Sequence, residues 1–107
     1  MGYDLHITRA DDWGDNVGHQ ITADEWLQLV AEDPELRLAD YNGPYFALWS
    51  GRSKYPDPWL DWLAGNIYSK NPDKALVQKM LQIAIRLGAR VQGDDGEFYT
   101  DVSEIAD

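Results

Sequence analysis

The sequence predicts an α+β domain, an antiparallel or mixed β-sheet of hairpins with two amphipathic helices packed on one face. Three observations carry that expectation. Short strand-like runs outnumber helical ones, turn dipeptides separate neighbouring runs, and two longer stretches show helical periodicity with marked starts. The chain of 107 residues is 44% apolar and 12% aromatic, so residues 1–107 are expected to form one domain with a genuine core. It contains no cysteine, which excludes disulfides and thiolate chemistry.

Tyr3, Leu5 and Ile7 alternate with Asp4, His6 and Thr8, the period-two pattern of a half-buried strand, expected over residues 3–9. Residues 10–20 show no periodicity and read as an exposed loop, with Trp13 at its middle. Thr22 and Glu25 have the spacing of a capping box, and Ile21 and Trp26 that of a hydrophobic staple, so a helix is expected to begin at Ala23. Trp26, Leu27, Leu29 and Val30 form its apolar face, and Pro34 stops it near Asp33. Glu32, Asp33 and Glu35 crowd the helix end where the dipole disfavours anions, a cluster that helix stability does not explain.

Residues 36–41 and 45–49 have strand character around Asn42-Gly43, a two-residue hairpin signal followed by Pro44. Residues 59–63 and 66–70 flank Ala64-Gly65 as a second hairpin, although Trp59, Leu60, Trp62 and Leu63 equally suit a helical turn after Pro58. Trp49, Trp62 and Tyr45 are expected in the core by strand alternation. Asn71 as N-cap, Pro72 at the first helical position and Asp73 then open the second helix. Its stripe is Leu76, Met80, Ile83 and Leu87, widened by Val77, Leu81 and Ala84, with Lys74, Lys79 and Arg86 outside and Gly88 as the C-cap. Residues 89–92 and 97–100 flank the acidic tip Gly93-Asp94-Asp95-Gly96 as a last hairpin, and the tail from Asp101 is expected to fray.

Charge is the most informative functional signal. Residues 1–35 hold nine acids and one base, residues 36–90 four acids and eight bases, and residues 91–107 six acids and no base. The segment charges are −8, +4 and −6 within a total of −10. Segregated charge makes a directional field that steers a cationic partner, and it repels phosphates, so nucleic acid is not an expected ligand. If the loop at 10–20 and the tip at 93–96 converge, the two acidic ends form one surface, and the basic middle marks the face turned away.

Site chemistry is sparse. His6 and His19 lack a third ligand, Asp11, Asp12 and Asp15 lack EF-hand spacing, and Asp94, Asp95 and Glu97 read as turn chemistry, so no metal and no cofactor are expected. No phosphate loop or activated nucleophile accompanies the 19 acids, and an enzyme is not expected. Trp13 and Tyr55 lie in polar loops and suit either interface anchors or local packing. No apolar run approaches the roughly 20 residues of a membrane span, and the first residues lack a signal-peptide pattern, so the expectation is a cytoplasmic protein that contacts no membrane.

Three stretches resemble a known group. Asn71-Pro72-Asp73 opening a helix, the run from Leu87 to Tyr99, and the start from Tyr3 to Arg9 are similar to small acidic bacterial immunity proteins of polymorphic-toxin and contact-dependent growth inhibition systems. The resemblance implies a protein that binds and neutralises a cognate toxin, such as a basic nuclease-type toxin C-terminal domain. From the residues themselves, Asp11, Asp12, Asp15, Asp94, Asp95 and Glu97 are the candidates to pair with toxin cations, with Trp13 and Tyr55 as aromatic anchors. An acidic nucleic-acid mimic or regulatory subunit that binds a host DNA- or RNA-binding protein uses the same acids and is the alternative.

Overall fold

The computed structural model describes residues 3–101. Its elements run β1 (Asp4–Thr8), α1 (Ala23–Glu32), β2 (Leu36–Leu38), β3 (Ala47–Trp49), β4 (Trp59–Leu63), β5 (Asn66–Lys70), α2 (Lys74–Leu87), β6 (Arg90–Gly93) and β7 (Phe98–Tyr99). The seven strands form one sheet in the order β2-β3-β4-β5-β1-β6-β7, and every neighbouring pair is antiparallel. The α+β expectation therefore holds, with the antiparallel form of the sheet. The expected fraying beyond Asp101 falls outside the described residues.

Helix α1 starts where its capping box requires, with Thr22 and Glu25 exchanging hydrogen bonds at 2.9 and 3.1 Å. Helix α2 ends on Gly88 in the left-handed conformation, as its sequence demands. Its start differs from expectation: Asp73, not Asn71, is the N-cap. Asn71 is committed elsewhere, since its N–H donates to the Tyr3 carbonyl at 2.9 Å and its side-chain oxygen accepts the Tyr3 N–H at 2.8 Å. It extends the β1–β5 ladder, and the next available carboxylate caps the helix.

The hairpins divide. Ala64 and Gly65 take positive φ values of 52° and 91° in a tight β4–β5 turn that pairs Leu63 with Asn66. Residues 59–63 thereby form a strand, and the helical-turn alternative falls. Asn42-Gly43 does not close a two-residue hairpin, because a Pro44 N–H would be needed to complete it and proline has none. The chain makes a 3-10 turn over Asp40–Asn42 instead, and β2 and β3 keep three residues each.

One cluster forms the core, with Leu5, Ile7, Leu60, Ile67 and Val91 on the sheet and Trp26, Leu29, Val77, Met80 and Ile83 on the helices. Trp26 is fully buried and Trp62 half-buried, and each indole N–H reaches a carbonyl at 2.9 Å, Tyr45 and Ile21 respectively. Lys79 departs from expectation. It is buried, with its ammonium 2.7 Å from both Asp33 and Glu35, and Arg86 meets Glu32 at 3.0 Å. The acidic cluster at the end of α1 is thus half of an interhelical ion network, which supplies the structural reason that helix propensity lacks.

Candidate binding surface

Cross-strand register sorts the sheet residues onto two faces. Leu5, Ile7, Ile67 and Val91 point to the helices, whereas the row Asp61, Tyr68, His6, Gln92, Phe98 points the other way. Onto this second face the loop after β1 folds back. Arg9 anchors the loop's start, giving Glu25 two hydrogen bonds at 2.9 and 2.6 Å and the Leu87 carbonyl one at 2.8 Å. The Arg9 guanidinium holds the Glu25 carboxyl down at about 2.

Three side chains fix the rest of the loop. Gln92, 1% exposed, accepts the Trp13 N–H at 2.7 Å and donates to the carbonyls of Asp11 at 3.0 Å and Gly96 at 2.9 Å. Asn66 donates to the Trp13 carbonyl at 2.8 Å, and Asn16 bonds Ala64 at 2.8 Å and Asn66 at 3.1 Å. The Trp13 indole then lies flat on the His6 imidazole, with centroids 3.8 Å apart and planes 6° from parallel. A groove of about 440 Å³ opens beside this stack, lined by Asp4, Asn66, Tyr68 and Lys70.

The β6–β7 turn is tied to the same place. Asp94 accepts the Asp4 N–H at 2.9 Å and meets His6 Nε2 at 2.9 Å. Burial would raise the Asp94 carboxyl, but these hydrogen bonds outweigh it and hold the group below its usual value. Glu97 accepts the hydroxyls of Tyr3 and Tyr99, folding back over Gly93, where a Cβ would stand 2.6 Å from the carboxylate.

No protein family, curated protein or solved structure matches the chain. The surface is therefore read from its own residues. Among the candidates, Asp11 is exposed and meets Arg90 at 2.9 Å, while Asp12, Asp15 and Asp95 are exposed and in no ion pair among the described residues. Asp94 and Glu97 are occupied internally, and Trp13 is half-buried against His6. Seven of the eight candidates thus gather around Gln92. Tyr55 does not: it is 48% exposed in the β3–β4 connection, with Lys54 5.3 Å from its ring, and β5 and β1 stand between β4 and β6.

The basic middle of the chain is not turned away from the acids. Arg90 borders the acidic loop, its guanidinium 4.0 Å from the Phe98 ring, and Lys70 stands directly opposite Asp4 on the second sheet face. Sequence reasoning missed His6, Gln92 and Asn66 as the fixings of the loop, and it missed Trp59, Asp61 and Tyr68 on the second face. Alternation along β4 and β5 carries that last signal once both are read as strands. Among the described residues no three His, Asp or Glu side chains converge as metal ligands, and no helix is long and apolar enough to cross a membrane.

Proposed function

We propose that the protein is a cytoplasmic immunity protein, which binds a basic toxin domain stoichiometrically and neutralises it without making or breaking a bond. The observation that carries this reading is the Gln92 clamp. It brings the loop of Asp11, Asp12 and Asp15 beside the turn of Asp94 and Asp95, in a single acidic surface backed by β1 and β6. Exposed carboxylates so placed attract a cationic cleft and orient it before contact. Resemblance of residues 3–9, 71–73 and 87–99 to immunity proteins supports the same reading. An interface of standard size, about 800 Å² per partner, fits a domain this small.

The test is to mix the purified protein with the toxin domain encoded beside its gene and to follow complex formation and growth rescue. The reading expects a one-to-one complex and restored growth. Replacing Asp12, Asp15 and Asp95 together by Lys should lower the association rate at least about tenfold and flatten its salt dependence. Absence of both complex and rescue removes the reading, and capture of a host DNA-binding protein instead favours a regulatory role.

A further inference from the structure

On the second sheet face, three rings run from the residue before β3 across β4 to β5. Phe46 stacks on Trp59 with centroids 5.2 Å apart, and Trp59 meets Tyr68 edge to face at 5.5 Å. Asp61 stands directly opposite Tyr68 in the ladder, and Asp4 lies two residues from His6, the other cross-strand neighbour of Tyr68. Among the described residues no helix lies on this face, and the folded-back loop covers the β1–β6 part of it. Trp59, Asp61 and Tyr68 are left half-buried at the surface.

Asp61 is the anomaly of the strip. Its carboxylate accepts the Trp62 N–H at 2.9 Å and joins no ion pair among the described residues. Burial raises its carboxyl above the usual range, and the fields of Asp61 and Asp4 both reach the Tyr68 hydroxyl. A partly desolvated carboxylate next to aromatic faces is the setting that favours a flat, weakly hydrated cation. Lys70, two residues from Tyr68 on the same face, borders the strip at one end beside Asp4, and Arg37 lies further out on β2, which leaves Asp61 as the carboxylate beside the rings.

We propose that Trp59, Asp61 and Tyr68 form a receptor for an arginine side chain presented by a basic protein partner. The guanidinium pairs with Asp61 and stacks on the exposed ring surface, as an ammonium cannot. This inference rests on the partner being basic, and it adds a second contact beside the acidic loop.

The test titrates the full isotope-labelled chain with acetyl-Gly-Arg-Gly-Arg-Gly-amide and with its lysine analogue, followed by NMR. The largest shifts are expected at the Trp59 indole N–H and in β4, with the arginine peptide binding about threefold or more tighter than the lysine peptide. Asp61→Asn and Trp59→Leu should each weaken it about fivefold to tenfold, while Trp59→Phe, which retains an aromatic ring and checks folding, weakens it less. Shifts confined to residues 11–15 and 94–97, or equal binding of the two peptides, overturn the proposal. So does displacement of the peptide from β4 by an oligothymidylate, or line broadening there from self-association. Peptide binding at Asp61 with no toxin complex would retain this receptor and remove the immunity reading; a toxin complex with no shift at Trp59 would do the reverse.

Discussion

Gln92 Oε1 accepts the backbone N–H of Trp13 at 2.7 Å across 79 positions of sequence. The same side chain is almost fully buried and uses both its amide hydrogens on the carbonyls of Asp11 and Gly96. Gln92→Leu keeps the volume but leaves three backbone groups without partners, each costing about 1 to 3 kcal/mol wherever water cannot replace the bond. The loop should let water in, which limits the stability loss to about 2 kcal/mol. Hydrogen exchange of the Trp13 amide should accelerate in the variant while amides in β5 stay protected.

Lys79 joins the two helices through Asp33 and Glu35, and the network is largely shielded on the Asp33 side. Burial acts against the Lys79 charge, but its carboxylate partners raise its proton affinity overall. Lys79→Met leaves the buried Asp33 with only Arg86 Nη1, 3.9 Å away, as a cationic neighbour and should cost about 3 kcal/mol in urea unfolding. Adding Asp33→Asn should recover part of that loss. The lysine contributes its stability fully below its ordinary pKa of 10.5, and that contribution is lost as pH rises through its higher folded value.

Acid should loosen the start of α1. The Arg9 guanidinium and the Thr22 N–H lower Glu25 from 4.5 to about 2. A depressed carboxyl stabilises the fold fully above its unfolded value, and the effect fades as pH falls from about 4.5 to about 2. Because the Glu25 side chain is 39% exposed, solvent screening reduces the effect to about 1 kcal/mol. Melting temperatures measured from pH 6 to pH 2 should fall less steeply for Glu25→Gln than for the parent protein.

Ala64 holds φ at 52° in the β4–β5 turn, where a side chain with a Cβ is strained. Ala64→Gly should relieve that strain and, after the larger entropy cost of glycine, raise stability by about 0.5 kcal/mol. A rise of about 3 °C in the thermal midpoint is the expected reading. An unchanged or lower midpoint would mean that the strain at this φ is smaller than the entropy cost of glycine.

Local signals located most of the architecture. The capping box at Thr22 and Glu25, the glycine at position 88 and the alternation in β1 act within a few residues, and each appears where the sequence puts it. Pro44 is visible in the sequence too, and its missing N–H overrides the turn preference of Asn42-Gly43. Lys79 and Asn71 were misplaced because their partners lie 44 to 46 and 68 positions away, beyond any periodic pattern. The acidic residues were legible as charge, yet only the structure separates Asp94 and Glu97, which brace the fold, from Asp12, Asp15 and Asp95, which face solvent. Nothing local marks Gln92 as their organiser.

Strand β1 lies between β5 and β6, so the first strand of the chain must wait for two of its latest elements. The Asp4–Asp94 hydrogen bond closes a span of 90 residues, and closure over such distances is slow compared with forming either helix. Until β6 docks, the loop bearing Asp11, Asp12 and Asp15 has no Gln92 to hold it. A chain whose sheet has not closed carries the same three acids but lacks their arrangement, so the acidic surface itself reports that the sheet has closed.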